Sequence, residues 1–386
     1  MQNRAGDGID RDGGRGGAIS MTGRKGQIEI VGSRFENNRA GDSVTKSGGP
    51  GGAIDIARLA GTPALVMWLG VWDSLFVGNR AGNGPVGGGS GGAIAVATTG
   101  ASLGFGVLNS TFVGNAAGMP GGVDFGRGGA IFGHAPPPAF LDAYLGSSIL
   151  RGNGPDPVGF VFPIASTAVV EYSNVEGGLA GTGNIDADPL FVDAVGGDFR
   201  LGAGSPGIDS GCIGPFTSPV DLAGAPRVAA ASVDMGCFES GPWPTRPGSI
   251  DDLRMSLQVD VDPTAWVTAR QASAGSQIVL HSSTPCGGLS GVTTFLLAQG
   301  YAGGGPGPIP IAGFPAVWVN AQPLPGEGPV VLATGPFAVD VPGTAFAFVV
   351  PPGLEGMTVR IQALAPTPLA RDGLLAASDA YDLTIF

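Results

Sequence analysis

Residues 74–94 read SLFVGNRAGNGPVGGGSGGAI: a short apolar segment, an asparagine, a run of glycines and a second apolar segment. Both halves of this phrase recur along the chain. The tetrapeptide GGAI begins at four positions, which are Gly16, Gly51, Gly91 and Gly128. Successive copies are therefore 35, 40 and 37 residues apart. A period in this range indicates repeats of one supersecondary unit that stack on each other.

Each GGAI opens a segment in which apolar residues alternate with others. Ile54 and Ile56 share one face, and Asp55 lies on the other, as in a half-buried strand. One short strand cannot bury its apolar face alone, whereas stacked parallel copies bury one another's. Aligned copies then place Ile19, Ile54, Ile94 and Ile131 directly above one another. We predict an all-β chain whose residues 1–240 form a parallel β-helix.

A second phrase, FxxNxAG, begins at Phe35, Phe76 and Phe112. Its asparagine recurs in every repeat, and we predict that these residues form a hydrogen-bonded ladder at an inward turn: Asn3, Asn38, Asn79, Asn115 and Asn153. Asparagine also tolerates the left-handed backbone that such a turn is expected to need. The glycine-rich segments 42–49, 83–90 and 119–127 are predicted to loop out on one side.

The alternation of GGAI with SxFxxNxAG resembles the right-handed parallel β-helix repeats of bacterial secreted and surface proteins, including the polymorphic outer-membrane protein type. The segments GNIDADPLFVD (183–193), GSPGIDSG (204–211) and SVDMGCFE (232–239) resemble the end of the β-helix in choice-of-anchor proteins of planctomycete-like bacteria. The resemblance covers about residues 1–240. It implies a secreted or cell-surface location.

The repeat stops at the proline-rich segment 241–252, which we predict to be a linker. Beyond it, short alternating segments such as SQIVLHS and MTVRIQAL are separated by Gly/Pro turns. This spacing predicts a small antiparallel β-sandwich over 253–386. The end of the chain is similar to an uncharacterised β-rich module found at the C-termini of secreted planctomycete proteins.

Composition excludes several classes of partner. The 19 Lys and Arg against 31 Asp and Glu give a net charge of −12, and no basic face for nucleic acid is visible. No segment has the roughly 18 uninterrupted apolar residues of a membrane helix. Because the chain begins in mid-repeat, we expect that upstream residues, including any signal peptide, are missing from it. We expect a monomer.

The cysteines and aspartates leave alternatives open. Cys212 and Cys237 are a candidate disulfide, worth about 3 kcal/mol in the loop-entropy model, and the spacing leaves the bridged and reduced states equally open. Asp186, Asp188 and Asp193 are candidate Ca²⁺ ligands, although Asx turns explain the same residues without metal. We expect no cofactor.

The function expected is non-catalytic: a structural or adhesive β-helix that binds glycans or cell-wall material. Trp68, Trp72 and Phe132 are candidates for stacking on sugar rings, and packing under a loop is the alternative. A polysaccharide lyase or glycoside hydrolase is the competing interpretation. It needs a carboxylate cluster, and the positions aligned with Asp55, namely Ser20, Ala95 and Phe132, offer no second carboxylate.

Overall fold

The computed structural model describes residues 3–59, 67–99, 102–119, 126–154, 156–161, 166–213, 217–228, 232–241, 253–260, 269–283, 292–302, 330–336, 345–367, 370, 375–378 and 380–386. These residues form β-strands and no α-helix. The chain divides into two compact units. The first unit comprises residues 1–211, 220–225 and 234–239, and the second comprises residues 212–219, 226–233 and 240–386. Most of the predicted linker, 242–252, lies outside the described residues.

The first unit contains seventeen strands: β1 (Ile19–Gly23), β2 (Gly26–Val31), β3 (Arg34–Glu36), β4 (Ile54–Arg58), β5 (Met67–Trp72), β6 (Leu75–Val77), β7 (Ile94–Thr98), β8 (Ser102–Leu108), β9 (Thr111–Val113), β10 (Ile131–His134), β11 (Phe140–Gly146), β12 (Ile149–Arg151), β13 (Val158–Val161), β14 (Thr167–Glu171), β15 (Asn174–Val175), β16 (Phe191–Asp193) and β17 (Asp198–Leu201). The first fifteen form three parallel sheets of five strands each. The first sheet is β1-β4-β7-β10-β13, the second is β2-β5-β8-β11-β14, and the third is β3-β6-β9-β12-β15. The predicted parallel β-solenoid is therefore confirmed.

The core of the solenoid is the stack of inward side chains that the repeat predicts. Ile54 pairs with Ile19 on one side and with Ile94 on the other, in the register given by aligning the GGAI copies. In the third sheet the rings of Phe35, Phe76 and Phe112 stack nearly parallel, with centroids 4.8 and 4.7 Å apart. These distances match the separation of neighbouring strands, about 4.8 Å. Each repeat therefore buries its apolar face against the same residue type in the next coil.

The predicted asparagine ladder runs along the solenoid after the third sheet. Each side-chain amide donates to the Oδ1 atom of the next asparagine, at 3.0 Å for Asn3–Asn38 and 2.9 Å for the three later pairs as far as Asn153. The same Oδ1 atoms also accept the backbone N–H of the preceding ladder residue. The reason proposed for choosing asparagine was wrong in part, because none of these asparagines has a positive φ. The left-handed residue comes just before the ladder residue, as in Asn37 and Gly78.

A second ladder, of serines, joins the second sheet to the third, and the sequence analysis did not predict it. Ser33, Ser74, Ser110 and Ser148 each direct their backbone N–H to the hydroxyl of the serine in the next coil, at 3.1–3.2 Å. Each hydroxyl donates to the carbonyl two residues earlier, as Ser74 does to Trp72. The hydroxyls of Ser74, Ser110 and Ser148 thus each make two hydrogen bonds at the turn before a strand of the third sheet, one within their own coil and one to the neighbouring coil.

Residues after Val175 cover the solenoid rather than extend its three sheets. The last parallel bridge joins Asn174 to Ile185, and β16 and β17 then form an antiparallel hairpin. Phe199 and Phe238 pack on Leu75, on the outer face of the third sheet, and Leu201 and Met235 pack on Ile149. Much of the segment predicted to end the β-helix therefore shields one outer face.

The candidate disulfide between Cys212 and Cys237 is not formed. Cys237 is a buried thiol, whereas Cys212 is disulfide-bonded. Cys237 packs with Leu75 and Phe238, and its backbone N–H donates to the hydroxyl of Thr111 at 3.0 Å. It therefore acts as a small apolar side chain under the covering segment.

The second unit contains nine described strands: β18 (Arg254–Val259), β19 (Ala269–Ala272), β20 (Gln277–Ser283), β21 (Thr293–Ala302), β22 (Val330–Pro336), β23 (Ala345–Val349), β24 (Met357–Pro366), β25 (Leu375–Ala377) and β26 (Tyr381–Ile385). One sheet is β18-β20-β23, and the other is β19-β26-β24-β21-β22 with β25 on β24. All pairs are antiparallel except β19–β26. Leu257 and Leu280 of one sheet and Ile361 of the other share one core, as expected of a sandwich. Across β24 and β26, Arg360 and Asp382 form a buried ion pair.

Candidate functional site

The aspartates proposed as calcium ligands each serve a separate local contact. Asp186 accepts a hydrogen bond from Arg151 at 2.7 Å, Asp188 accepts the N–H of Leu190 at 2.9 Å, and Asp193 accepts that of Gly196 at 2.9 Å. Among the described residues no group of three His, Cys, Asp or Glu side chains is arranged to hold a metal ion. The contacts of Asp188 and Asp193 are those of Asx turns.

Asp55, the carboxylate on the outer face of the first sheet, is completely buried in an ion pair with Arg15. Its oxygens accept hydrogen bonds from Nε at 2.7 Å and Nη2 at 3.1 Å. Burial raises the pKa of the Asp55 carboxyl, and the hydrogen bonds from Arg15 offset part of that rise. This geometry occupies both carboxylate oxygens in holding the GGAI turn of the neighbouring coil. It explains Asp55 as a structural residue.

The outer face of the second sheet differs from the other two in its aromatic and polar side chains. Residues that are register partners across β2, β5, β8, β11 and β14 form three transverse rows. The first row is Gln27, Trp68, Gly104, Asp142 and Thr167; the second is Glu29, Gly70, Gly106, Tyr144 and Val169; the third is Val31, Trp72, Leu108, Gly146 and Glu171. We call these fifteen residues the second-sheet face. Each row spans four strand separations, or about 19 Å.

Two tryptophans of β5 lie next to each other on this face. Their rings are 6.4 Å apart and tilted by 38°. Trp72 is only 5% exposed, while Trp68 is half-buried. Trp72 is therefore packed into the sheet surface, whereas the ring of Trp68 is partly accessible to solvent.

Glycines in β8 make room for the two rings. A Cβ atom on Gly104 would collide with the ring of Trp68, and one on Gly106 would lie 2.8 Å from Cη2 of Trp72 and 3.1 Å from Cζ2 of Trp68. Real Cβ atoms almost never make contacts this short, so side chains at these positions would displace the indoles. Glycine inside a strand commonly marks such a close approach. The ring of Trp68 therefore packs directly on the backbone of Gly104, against the surface of the sheet.

Polar side chains flank the tryptophans on both sides. On β2 the amide of Gln27 donates to Glu29 at 2.8 Å, and on β14 the hydroxyl of Thr167 donates to Asp142 of β11 at 2.9 Å. Tyr144 donates to Glu171 at 2.8 Å. Burial first, and then this hydrogen bond, raises the pKa of Tyr144 further above neutral pH than that of an ordinary phenol. The side chains around Trp68 therefore offer both donors and carboxylate acceptors.

Chemically, this arrangement can stack on a ring and bind hydroxyl groups around it. A flat indole beside carboxylate and amide groups suits a ligand with apolar C–H faces and polar edges. Trp68 and Trp72 were predicted as candidates, but Gln27, Tyr144 and Asp142 were not. The signal that identifies them is strand register, which relates residues 36 to 41 positions apart.

Phe132, the other aromatic candidate, lies on the first sheet. Its ring is stacked 6.1 Å from that of His134 in the same strand. The register partners of Phe132 are Ala95 and Gly159, so neither of its immediate neighbours in the row has a polar side chain. Asp55, two strands away, is buried against Arg15. The structure thus separates the three predicted aromatics into a pair on the second sheet and one residue on the first.

Comparison with known proteins gives no match, either to a protein-family model, to a curated protein or to a solved structure. Among the described residues, no helix is long and apolar enough to cross a membrane. The second-sheet face therefore carries the functional argument on its own geometry.

Proposed function

We propose that this protein is a non-catalytic, secreted or cell-surface β-helix protein with a structural or adhesive role, and that it binds glycans or cell-wall material through its second-sheet face. The observation that carries the proposal is the placement of Trp68 flat on Gly104, with Gln27 and Asp142 in the same row. A sugar ring stacks on an aromatic side chain through its C–H face and bonds at its edges through hydroxyl groups.

The shape of the face favours a polymer over a small molecule. Small-molecule sites are concave and enclose most of the ligand, whereas the second-sheet face is the exterior of a sheet about 19 Å wide. A polysaccharide chain that lies across the strands can follow one row and contact side chains of several strands at once.

The spacing of the carboxylates supports binding without catalysis. Glu29 on β2 and Asp142 on β11 are three strands apart and two residues apart along the strand direction, so their backbones are about 16 Å from each other. Glu171 on β14 is one strand and four residues from Asp142, or about 14 Å. Glycoside hydrolases place their two carboxyl groups about 5 to 9.5 Å apart. Asp142 also accepts the hydroxyl of Thr167.

The location proposed rests on the sequence resemblance. The GGAI and SxFxxNxAG phrases resemble polymorphic outer-membrane protein repeats, and residues 183–239 resemble choice-of-anchor proteins of planctomycete-like bacteria. Proteins of those types are secreted or carried on the cell surface, which is where glycan adhesion takes place.

The test is a panel of immobilised polysaccharides probed with the full chain and two variants. We expect Trp68→Ala to weaken binding about threefold to tenfold, because stacking on one aromatic ring contributes on the order of 1 kcal/mol. Phe132→Ala is the matched control, since it removes an aromatic side chain from the first sheet, and it should leave binding unchanged. Circular dichroism confirms that both variants keep their β-structure.

Two outcomes would overturn the proposal. Equal binding by the wild type and Trp68→Ala would show that the glycan does not bind at Trp68 on the second-sheet face. Release of reducing ends or unsaturated uronides from any polysaccharide by the wild type would show an enzyme, and the non-catalytic part would be wrong.

A further inference from the structure

A stack of arginines follows the asparagine ladder, and its pattern changes along the solenoid. Parallel bridges align Arg4 with Arg39, Arg39 with Arg80, Arg80 with Ala116, and Ala116 with Gly154. The side chain at this position is therefore arginine in three coils, then alanine, then glycine.

In the first two coils the arginine is neutralised by an aspartate three residues later. Arg4 bonds to Asp7 at 2.7 Å, and Arg39 bonds to Asp42 at 2.6 Å. Asp7 and Asp42 also accept the backbone N–H of the residue at the same position in the next coil, at 2.9 and 2.7 Å. Each carboxylate thus pairs with its arginine and fixes the next coil.

The third coil keeps the arginine and the turn but lacks the negative charge of the aspartate. Asn83 replaces the aspartate, and its Oδ1 atom still accepts the N–H of Met119 at 2.8 Å. An amide cannot neutralise a guanidinium, and within the part of the chain that the structure describes, Arg80 has no ion pair or side-chain hydrogen bond. Arg80 is exposed. The Nδ2 group of Asn83 is likewise left to donate outward, because Oδ1 makes the contact within the protein.

A groove lies where the stack loses its side chains. Its volume is about 550 Å³, and it is lined by Arg39, Arg80, Asn83, Ala116, Ala117 and Met119 together with Ala81, Gly118 and Gly154. Volumes of about 300–1,000 Å³ are typical of small-molecule sites. The Nε–H of Arg39, which also lines the groove, is buried with no acceptor, so it is a third unsatisfied donor beside those of Arg80 and Asn83.

These observations define what the groove can hold. The positive charge of Arg80 and the side-chain N–H donors of Arg80 and Asn83 favour an oxyanion as the ligand. A planar guanidinium group can bind a carboxylate through two parallel hydrogen bonds. Ala116, Ala117 and Met119 provide an apolar floor beside these donors. Acidic residues outnumber basic ones over the chain as a whole, which has a net charge of −12, so an arginine without a paired carboxylate is a local exception.

We propose that the groove beside Arg80 is a binding site for one oxyanion, a carboxylate or a sulfate ester, carried on a compact ligand with an apolar face such as a uronic acid or a sulfated sugar. This proposal does not depend on the glycan-binding function proposed above, since the groove and the second-sheet face share no residue. A chain that bound anions here and failed to bind at Trp68 would keep the one proposal and lose the other.

The sharpest test restores the carboxylate that the third coil has lost. Asn83→Asp recreates the Arg–Asp pair of the two preceding coils, so it should fold at least as well as the wild type. Titration calorimetry of the full chain with galacturonate, a galactose sulfate ester and neutral galactose gives the affinities. We expect an anionic sugar to bind, galactose not to bind, and Asn83→Asp to weaken anion binding at least about tenfold.

Two further variants separate charge from shape. Arg80→Gln removes the cation and should abolish binding, whereas Arg200→Gln makes the same change in net charge at an exposed pair with Asp198 and should have no effect. Binding should also weaken as ionic strength rises, since the groove is open to solvent.

The outcomes decide both the site and its ligand. Binding of galacturonate alone assigns a carboxylate, and binding of the sulfated sugar alone assigns a sulfate ester. The proposal is overturned if neither anion binds, or if Asn83→Asp and Arg80→Gln bind as tightly as the wild type.

Discussion

At the residue scale, the asparagine ladder joins successive coils through hydrogen-bonded side-chain amides, most of which are buried. Asn79 donates to Asn115 and to the carbonyl of Phe35, and it accepts two hydrogen bonds from Asn38. It is completely buried. Every amide atom is therefore used, and no substitution can reproduce all four contacts.

We expect Asn79→Ala to lower the free energy of unfolding by about 3 kcal/mol or more, because it leaves several buried donors and acceptors unpaired at roughly 1–3 kcal/mol each. Asn3→Ala is the matched control. It removes a ladder residue that is exposed at the end of the series and should cost less than about 1 kcal/mol. Urea denaturation measures both, and equal losses would contradict a ladder whose value comes from burial.

The ion pair of Asp55 and Arg15 gives a prediction that depends on pH. Arg15→Gln leaves a buried carboxylate without its partner, and we expect a loss of about 2–4 kcal/mol at neutral pH. Because the pKa of Asp55 is already raised in the folded state, and removing Arg15 raises it further, the deficit must shrink as pH falls through the folded pKa toward the ordinary value of 3.8.

Urea denaturation of the wild type and Arg15→Gln at a series of pH values measures this deficit. A deficit that stays constant with pH would mean that the lost stability comes from packing of the arginine side chain and not from the charge of Asp55. The variant Asp55→Asn, which cannot titrate, is the control and should lack the pH dependence.

At the element scale, the sequence predicts the strands of the solenoid and their register. It predicts less well the segments after Val175 that pack on the outer face of the third sheet. The GGAI period places Ile19, Ile54 and Ile94 in one column because identical residues bury each other when coils stack. The serine ladder was missed because its bonds depend on the shape of a turn. The contact of Trp68 with Gly104 was missed because this glycine lies in the following coil. Local alternation in the sequence does not reveal which residues of two strands about 36 positions apart are neighbours.

The segment around Gly236 tests the covering of the third sheet. Gly236 has φ of +94°, and a Cβ there would lie 2.6 Å from Oγ1 of Thr111 and 2.9 Å from Cδ1 of Ile149. We expect Gly236→Ala to cost about 2–4 kcal/mol, the sum of a left-handed backbone penalty and overpacking.

Gly224→Ala is the control for that substitution. Gly224 has a similar φ of +85° but no atom within 4 Å of its added Cβ, so only the backbone penalty of about 1–2 kcal/mol applies. Thermal unfolding compares the two variants. Equal losses would indicate that the segment 234–239 does not press on the third sheet.

At the scale of the whole molecule, two all-β units with separate cores make up the chain. The first offers long, regular outer faces, and only the second-sheet face combines an indole ring with flanking polar groups among the described residues. The stiffness of stacked coils keeps these groups in fixed positions, which reduces the entropy lost when a polymer binds. The candidate loops 42–49 and 83–90 are joined by the bridge from Ser47 to Gly87, so they too stack as coils, while 120–125 lies outside the described residues.

The most direct measurement of the central claim is the indole N–H resonance of Trp68 during titration with the best-binding oligosaccharide. Nuclear magnetic resonance of the full chain labelled at its 5 tryptophans gives one such signal for each, and Trp68→Phe assigns the signal of Trp68. The account predicts a saturable shift of the Trp68 signal that follows the binding curve. Binding that saturates while the Trp68 signal stays in place would contradict it.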